Sequence, residues 1–179
     1  MEKAQAELRR ALPKARVSWT KPEHFHLTLK FLGNVETGQV EALTGAVRGR
    51  CGSFFALQLK AEQIGFFPNA RRPRVVWASV RDTGDQLPGL QRAVEAATRD
   101  FTTEGPEKQF TGHVTLARVK ALKRAEAEVL VRLGEGMAGR FLGEWTTDHI
   151  ELLRSEISQA GPRHTVLATI TLGAKPWGH

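Results

Sequence analysis

Two copies of one short pattern carry the residues that could do chemistry. They are His26-Leu27-Thr28-Leu29 and His113-Val114-Thr115-Leu116. Side chains at positions i and i+2 of a strand point to the same face, so each copy would place an imidazole beside a hydroxyl. An imidazole can give or take a proton near neutral pH, and a threonine hydroxyl can donate to a phosphoryl oxygen. Two facing pairs would supply an acid, a base and two donors, which suffices for in-line cleavage of a phosphodiester without a metal.

A single His-x-Thr pair on a strand is usually a solvated or core-edge pair, but two copies in corresponding places favour a site. His24 and His26 also fit a metal site, yet neither a Cys cluster nor a carboxylate pair accompanies them. The pattern therefore does not predict a metal site. Cys51, in an Arg-Cys-Gly-Ser stretch, is interpreted as a buried or incidental thiol.

The elements that must position these residues follow from hydrophobic periodicity. Residues 26–32 alternate, with Leu27, Leu29 and Phe31 on one face, and this predicts a half-buried strand; residues 113–119 predict another. Further predicted strands cover 17–19, 54–66, 74–80, 145–153 and 165–172, the last two paired around a turn at 158–162. Predicted helices cover 2–12, 37–50 with Thr37 as N-cap, 86–99 and 124–133. The class is α+β, in a single domain over 1–179 with two similar lobes, each giving one motif strand to a shared cleft.

Charge and composition narrow the class of partner. The 26 Lys and Arg exceed the 19 Asp and Glu, so the net charge is +7. This surplus favours a polyanion such as RNA, although many soluble proteins are basic without one. The first residues lack an apolar signal region, and no apolar run is long enough to span a membrane. One cysteine allows no internal disulfide. We therefore expect a cytoplasmic protein without a membrane partner.

The motifs and their surroundings resemble the two-histidine (2H) phosphoesterase superfamily and, within it, the LigT-like RNA 2′,3′-cyclic phosphodiesterases, historically called 2′-5′ RNA ligases. Four segments over about residues 2–172 carry the resemblance. They are His26-Leu-Thr-Leu-Lys-Phe-Leu-Gly33, Phe67-Pro68 through Arg72-Pro73-Arg74-Val75-Val76-Trp77, Phe110-Thr-Gly-His-Val-Thr-Leu-Ala-Arg118 and Glu151-Leu-Leu-Arg-Ser-Glu156.

The resemblance implies two pseudo-symmetric lobes, each an antiparallel-rich sheet with helices outside, around a basic central cleft. It implies hydrolysis of a terminal 2′,3′-cyclic phosphate to a 2′-phosphate, and it implies no metal and no cofactor. His26 would be the proton donor to the leaving 3′ oxygen, His113 would be the base that activates water, and Thr28 and Thr115 would hold the non-bridging oxygens. The substrate would be an RNA end, with tRNA fragments and small cyclic nucleotides left open, and the protein would act as a monomer.

This sequence departs from the family pattern at three places. The chain starts inside the family's first helix, without the short apolar strand that usually precedes it, so either a strand is missing or the start codon is misplaced. A lost strand would leave a sheet edge or a gap in the core. Gly112 stands where proline is common, which should loosen the approach to His113. His164 stands where tyrosine is frequent, and we interpret it as a surface imidazole.

Further candidates surround the two motifs. Lys30 shares the predicted face of His26, so it could line the cleft. The resemblance places Arg118 near the phosphate, whereas strict alternation from His113 puts it on the opposite face unless a bulge intervenes. A basic cluster consists of Arg71, Arg72 and Arg74. It could contact the phosphate backbone of RNA, or it could be an ordinary solvated loop. Phe25 and Trp77 could stack on a base, although Trp77 also fits the core.

Two other functions remain open from the residues alone. A ligase would run the same chemistry in reverse, joining a cyclic-phosphate end to a 5′-hydroxyl, but the sequence lacks a Gly-x-x-x-x-Gly-Lys phosphate loop and any evident nucleotide-activating lysine motif. A non-catalytic RNA-binding module would keep salt-dependent affinity after both histidines are replaced.

Overall fold

The computed structural model describes residues 1–106, 109–158 and 161–173. It confirms the α+β class, with antiparallel sheets and separate helices. The helices are α1 (Glu2–Ala11), α2 (Val40–Cys51), α3 (Leu87–Thr98) and α4 (Arg124–Gly136). The strands are β1 (Arg16–Trp19), β2 (Leu57–Phe67), β3 (Val75–Asp82), β4 (His113–Ala121), β5 (Phe141–Thr147), β6 (His149–Ser158) and β7 (Gly161–Thr171). Among the described residues, no helix has the length and apolar character needed to cross a membrane.

The chain divides into two compact units, each built from three segments. Unit 1 consists of Met1–Thr28, Leu59–Thr83 and Thr111–Trp145. Unit 2 consists of Leu29–Gln58, Gly84–Phe110 and Thr146–His179. Residues 26–28 and the whole second motif fall in unit 1, and Leu29, the last residue of the first motif, begins a segment of unit 2, so the division does not give each lobe one motif as predicted.

Unit 1 is a five-stranded sheet in the order β1-β4-β3-β2-β5, with α1 and α4 packed against each other. One sheet face is apolar because β-branched and aliphatic residues alternate along each strand; its buried side chains include Leu59, Val76, Ala78, Val114 and Leu116. The other face carries the half-buried and exposed side chains of the same strands. This alternation decides which side chains are available for chemistry.

Two local features seat the helices on the apolar face. Gly134 of α4 lies so close to β2 that a Cβ there would stand 2.7 Å from the Phe66 ring, so a larger residue would displace that ring. Gln5 of α1 is buried, and its side-chain amide donates to the carbonyl oxygens of Thr20 and Leu116 at 2.6 and 2.8 Å. These bonds satisfy two backbone carbonyls next to β1 and on β4.

Unit 2 packs α2 on α3 and on β7, which pairs with β6 in an antiparallel hairpin. Its core includes Leu43, Leu90 and Ile170. Cys51 is fully buried, as predicted, and burial raises the pKa of its thiol. The thiol therefore stays protonated and unreactive. His164 is exposed on the hairpin, with Nδ1 at 2.9 Å from the Ser155 hydroxyl oxygen, which agrees with a surface imidazole.

Strand β4 contains a bulge that changes its alternation. Trp77 of β3 pairs with Thr115, but Val76 pairs with Ala117, so Leu116 is an extra residue on β4. Leu116 and Ala117 are accordingly both buried in succession. Beyond the bulge every side chain faces opposite to what strict alternation from His113 predicts.

Three sequence-based boundaries need correction. The predicted strand 26–32 is reduced to a single bridge between Leu27 and Val114, and Phe31 is 72% exposed instead of inward-facing. The predicted strand 145–153 is two strands of different sheets, β5 and β6, separated at Asp148. The helix predicted to be capped by Thr37 begins as a 3₁₀ turn at that residue. Part of the predicted turn 158–162, residues 159 and 160, lies outside the described residues.

Candidate active site

The two motifs meet at their central residues. Leu27 and Val114 form an antiparallel bridge, and Val114 is buried. Continuing this register by one residue on each side places His26 opposite Thr115 and Thr28 opposite His113. All four side chains then share the face opposite to Leu27 and Val114. Diagonal neighbours in a regular ladder lie roughly 7–8 Å apart, and this spacing between the two imidazoles would suit one phosphate group.

Both imidazoles are held in the same way. The Nδ1 atom of His26 lies 2.8 Å from the carbonyl oxygen of His24, and Nδ1 of His113 lies 2.7 Å from that of Thr111. A carbonyl oxygen only accepts, so Nδ1 carries the proton in each neutral ring and Nε2 is the basic nitrogen. The Gly112 carbonyl between Thr111 and His113 accepts from the Val80 N–H at 2.8 Å, which ties the approach to His113 to β3. Both rings therefore present Nε2 for proton transfer.

Aromatic side chains pack around His113. The Phe67 ring contacts the imidazole edge-on at 5.1 Å, and Trp77 lies 5.8 Å from it and stacks on Phe67 at 4.9 Å. Trp77 lies flat over Gly65, its partner on β2, where a Cβ would be 2.2 Å from the indole ring. The buried Trp77 Nε1 has no hydrogen-bond partner within the described part of the chain. Packing alone therefore fixes this ring, and the ring in turn borders His113.

The rest of this face is polar. Ser79 pairs with His113 across β3 and β4, and Glu62 pairs with Ser79 across β2 and β3. Glu62 accepts hydrogen bonds from Lys60 at 2.5 Å and Arg81 at 3.0 Å, and these bonds hold the pKa of its carboxyl below the usual range. The Glu62 carboxylate, two strands away from His113, is thus neutralised by two cations and adds no net negative charge to this face.

Arg118 reaches the same face as His113 because of the bulge in β4. It is exposed, between the buried Ala117 and Val119, and it pairs with Ser18 on one side and Val75 on the other. Alternation and family resemblance disagreed about this residue, and the extra residue in the strand reconciles them. Arg118 is therefore available to an anion on the side of the sheet that carries the histidines.

Lys30 is placed differently from the expectation that it lines a cleft. Its side chain is only 4% exposed, and Nζ donates to Glu95 at 2.7 Å and to the Gly105 carbonyl oxygen at 2.8 Å. The alternation that grouped Lys30 with His26 fails because no strand continues beyond the Leu27 bridge. Lys30 instead anchors the loop that follows the first motif to α3, within unit 2.

Replacing Lys30 with methionine should therefore destabilise the protein by about 2 kcal/mol, because it leaves the Glu95 carboxylate partly buried and unpaired. Urea unfolding measures this loss. The double variant Lys30→Met/Glu95→Leu should recover most of the stability, since neither charge then remains. A raised KM for RNA in Lys30→Met, with the unfolding midpoint unchanged, would instead assign Lys30 to the substrate.

The remaining predicted residues lie outside this arrangement of four side chains. Phe25 is half-buried and directly precedes His26, and its N–H donates to the Pro22 carbonyl oxygen at 3.0 Å. The three arginines of the basic cluster are exposed on the loop before β3 and at its edge. Among the described residues, no three His, Cys, Asp or Glu side chains cluster closely enough to hold a metal ion.

Sequence reasoning missed two residues that border His113, Phe67 and Ser79, and it missed Gly65, which lies against Trp77. Alternation in β3 could have found Ser79, because it shares parity with Trp77. Gly65 and Phe67 had no comparable signal, since their positions depend on the pairing of β2 with β3.

Comparisons with known proteins identify the family. The family model described as LigT-like phosphoesterase matches residues 1–77. An RNA 2′,3′-cyclic phosphodiesterase from Aeropyrum pernix is 35% identical over 150 residues, covering 81% of this chain and 80% of the relative. One from Methanothermobacter thermautotrophicus is 30% identical over 160 residues, covering 88% and 84%.

Solved structures support the fold. A crystal structure of a Thermus thermophilus protein superposes with a TM-score of 0.71 at 26% identity, covering 98% of this chain and 94% of that one. The structure of E. coli LigT complexed with 3′-AMP gives a TM-score of 0.67 at 20% identity, covering 96% and 92%. The chain therefore belongs to the LigT-like phosphoesterases, in the group whose curated relatives are RNA 2′,3′-cyclic phosphodiesterases.

Proposed function

We propose that this protein hydrolyses the 2′,3′-cyclic phosphate at an RNA end to a 2′-phosphate, with His26 as acid and His113 as base. Membership of the family makes the chain an RNA 2′,3′-cyclic phosphodiesterase, a phosphodiester hydrolase. The observation that supports the mechanism is the Leu27–Val114 bridge, because an antiparallel register continued through it would put both His-x-Thr pairs on one face.

The reaction needs one proton removed and one supplied. Nε2 of His113 takes a proton from water as its oxygen attacks phosphorus, and the bond from phosphorus to the 3′ oxygen breaks in line with the attack. Protonated His26 gives its Nε2 proton to that leaving oxygen. The bond to the 2′ oxygen stays, so the product is a 2′-phosphate with a free 3′-hydroxyl. The carbonyls on both Nδ1 atoms support these roles, since they orient each ring and stabilise it when it is protonated.

In this mechanism the two threonine hydroxyls donate to the non-bridging oxygens. Both residues are half-buried on the face of the histidines, and a β-branched side chain has few rotamers in a strand. The negative charge of the phosphate strengthens such bonds. Arg118 would add a cation farther along β4, and Phe25, next to His26, would contact the terminal base or sugar.

Replacing Thr28 or Thr115 with valine should lower kcat/KM for a cyclic-phosphate-ended RNA by about 10- to 100-fold, the value of a hydrogen bond to a charged group. Valine keeps the shape and removes only the donor. Thr→Ser at the same positions is the matched control, because it restores the hydroxyl and should regain most of the activity. Equal activity in the valine and serine variants would remove the threonines from the mechanism.

Product analysis tests the reaction itself. A short RNA ending in a 2′,3′-cyclic phosphate is incubated with the enzyme, and ³¹P NMR distinguishes a 2′- from a 3′-phosphate monoester. We expect only the 2′-phosphate. A 3′-phosphate would mean that the 2′ oxygen leaves, and would reverse the proposed geometry. An unchanged cyclic phosphate would reject the function.

A further inference from the structure

A basic groove lies at the end of β4 that is remote from His113. Its volume is about 870 Å³, and it lies between residues 70–74, residues 119–123 and the first three turns of α4, all within unit 1. Seven cationic side chains line it against two carboxylates, Glu128 and Glu135. The cations are Arg71, Arg72, Arg74, Lys120, Lys123, Arg124 and Arg132.

Most of this positive charge is not neutralised. Arg124 pairs with Glu128 at 3.0 Å, one turn further along the helix. In the described part of the chain, no acidic side chain forms an ion pair with Arg72, Arg74, Lys120 or Arg132, and all four are exposed. The positive end of the α4 dipole lies in the same groove, since residues 124 and 127 of its first turn line it. Such a concave, one-signed surface attracts a polyanion.

The groove is also rigid. The Asn69 side-chain oxygen accepts from the N–H groups of Arg71 and Arg72, both at 3.1 Å, which fixes the loop. The Arg74 N–H donates to the Phe67 carbonyl oxygen at 2.7 Å, and the Arg74 carbonyl accepts from Val119 at 2.8 Å. The arginines thus stand on a backbone tied to the sheet, and little ordering is needed when an anion binds.

Lys120, at the far end of the groove, is too distant from His113 to act at the cyclic phosphate. It is seven residues further along β4 than His113, a span of roughly 23 Å at the usual rise of a strand. Arg118 lies between them on the face of His113. Cations therefore continue from the proposed active site toward the groove, beyond the reach of a terminal nucleotide.

We infer that this groove binds the sugar–phosphate backbone of the RNA several nucleotides before the cyclic end. The inference rests on the proposed function, because it assigns the groove to the body of the same substrate. Binding in the groove would make the enzyme selective for RNA ends over cyclic mononucleotides. The selectivity would appear as a lower KM for the RNA. The contacts are ionic, so this selectivity does not depend on sequence and declines with salt.

The test compares a 12-nucleotide RNA ending in a cyclic phosphate with a 2′,3′-cyclic mononucleotide. For the wild type we expect a higher kcat/KM on the oligonucleotide. In Lys120→Gln/Arg132→Gln, the ratio of the oligonucleotide value of kcat/KM to the mononucleotide value should fall about tenfold. The slope of log KM for the oligonucleotide against log salt concentration should also weaken by about 1.4, because two contacts to single-stranded RNA are lost. The matched control Arg9→Gln/Arg10→Gln removes the same charge from exposed positions of α1, and its ratio should equal that of the wild type.

Equal kcat/KM values for the two wild-type substrates would overturn the inference, as would a ratio that both double variants lower alike. Fluorescence anisotropy measures the affinity for the labelled 12-mer without requiring hydrolysis, so it distinguishes failure of the groove inference from failure of the proposed function. If neither substrate is hydrolysed, the proposed function fails, and weaker binding by the groove variant alone would still support the groove. Unchanged RNA affinity in that variant would reject the groove as an RNA site and leave an acidic protein as its partner.

Discussion

Replacing either His26 or His113 with alanine should lower kcat on a cyclic-phosphate-ended RNA by about 10²- to 10⁴-fold, the usual contribution of a general acid or base. His26 is exposed and His113 half-buried, so the variants should fold. Rapid-quench or steady-state kinetics measure the loss, and circular dichroism checks the fold. The double variant should be little worse than the worse single one, because the two groups act in one step. Near-full activity in either single variant would disprove the paired mechanism.

The same two variants can separate acid from base. Bis(p-nitrophenyl) phosphate has a leaving group that departs without a proton, so an enzyme lacking only its acid should still cleave it. We expect His26→Ala to keep much of its activity on this ester and His113→Ala to lose it, since water must still be activated. The opposite result would exchange the two roles. Equal losses would show that neither role is exclusive.

Introducing a methyl group at Gly65 should be among the most damaging single changes outside the histidines. Gly65→Ala places a Cβ 2.2 to 2.5 Å from three atoms of the Trp77 ring, which must move. Trp77 is packed against Phe67 and borders His113, so its movement disturbs the imidazole. We expect a loss of about 3 kcal/mol, at the upper end for overpacking, and more than a tenfold drop in kcat. Urea unfolding and steady-state kinetics measure the two effects.

Two further variants keep this prediction decisive if Gly65→Ala does not fold. Gly65→Ala/Trp77→Leu removes the clashing ring and should recover stability, although not the packing around His113. Gly45→Ala, on α2, has nothing within 4 Å of the added methyl and should be neutral or slightly stabilising. If Gly65→Ala and Gly45→Ala had equal unfolding midpoints, the packing of the Trp77 indole would not require a glycine at position 65.

Local pattern predicted the second motif well and the first poorly. Residues 113–119 alternate and are rich in β-branched and small apolar side chains, and they form a central strand paired on both sides. Residues 26–32 alternate as clearly, but Thr102 donates to the Leu32 carbonyl oxygen and Lys30 is bound to Glu95. These contacts come from distant parts of the chain and compete with strand pairing, so periodicity could not reveal them.

The site shows the same division. The residue types and their i, i+2 spacing predicted the four side chains His26, Thr28, His113 and Thr115. The surroundings of His113 depended on which strands pair, and in which register. Periodicity predicts neither, so Gly65 and Phe67 were missed. The face of Arg118 depended on a bulge that strict alternation does not reveal.

The bulge in β4 also determines which changes this strand can accept. Leu116 and Ala117 are both fully buried and bring no chemistry of their own, so other apolar residues of similar volume can replace them with local repacking. Their number is a stricter requirement than their identity. Deleting one of them would rotate the far half of the strand, bringing Arg118 and Lys120 to the helix-covered side and Val119 to solvent. During divergence, this short stretch should therefore tolerate substitutions while insertions and deletions are eliminated.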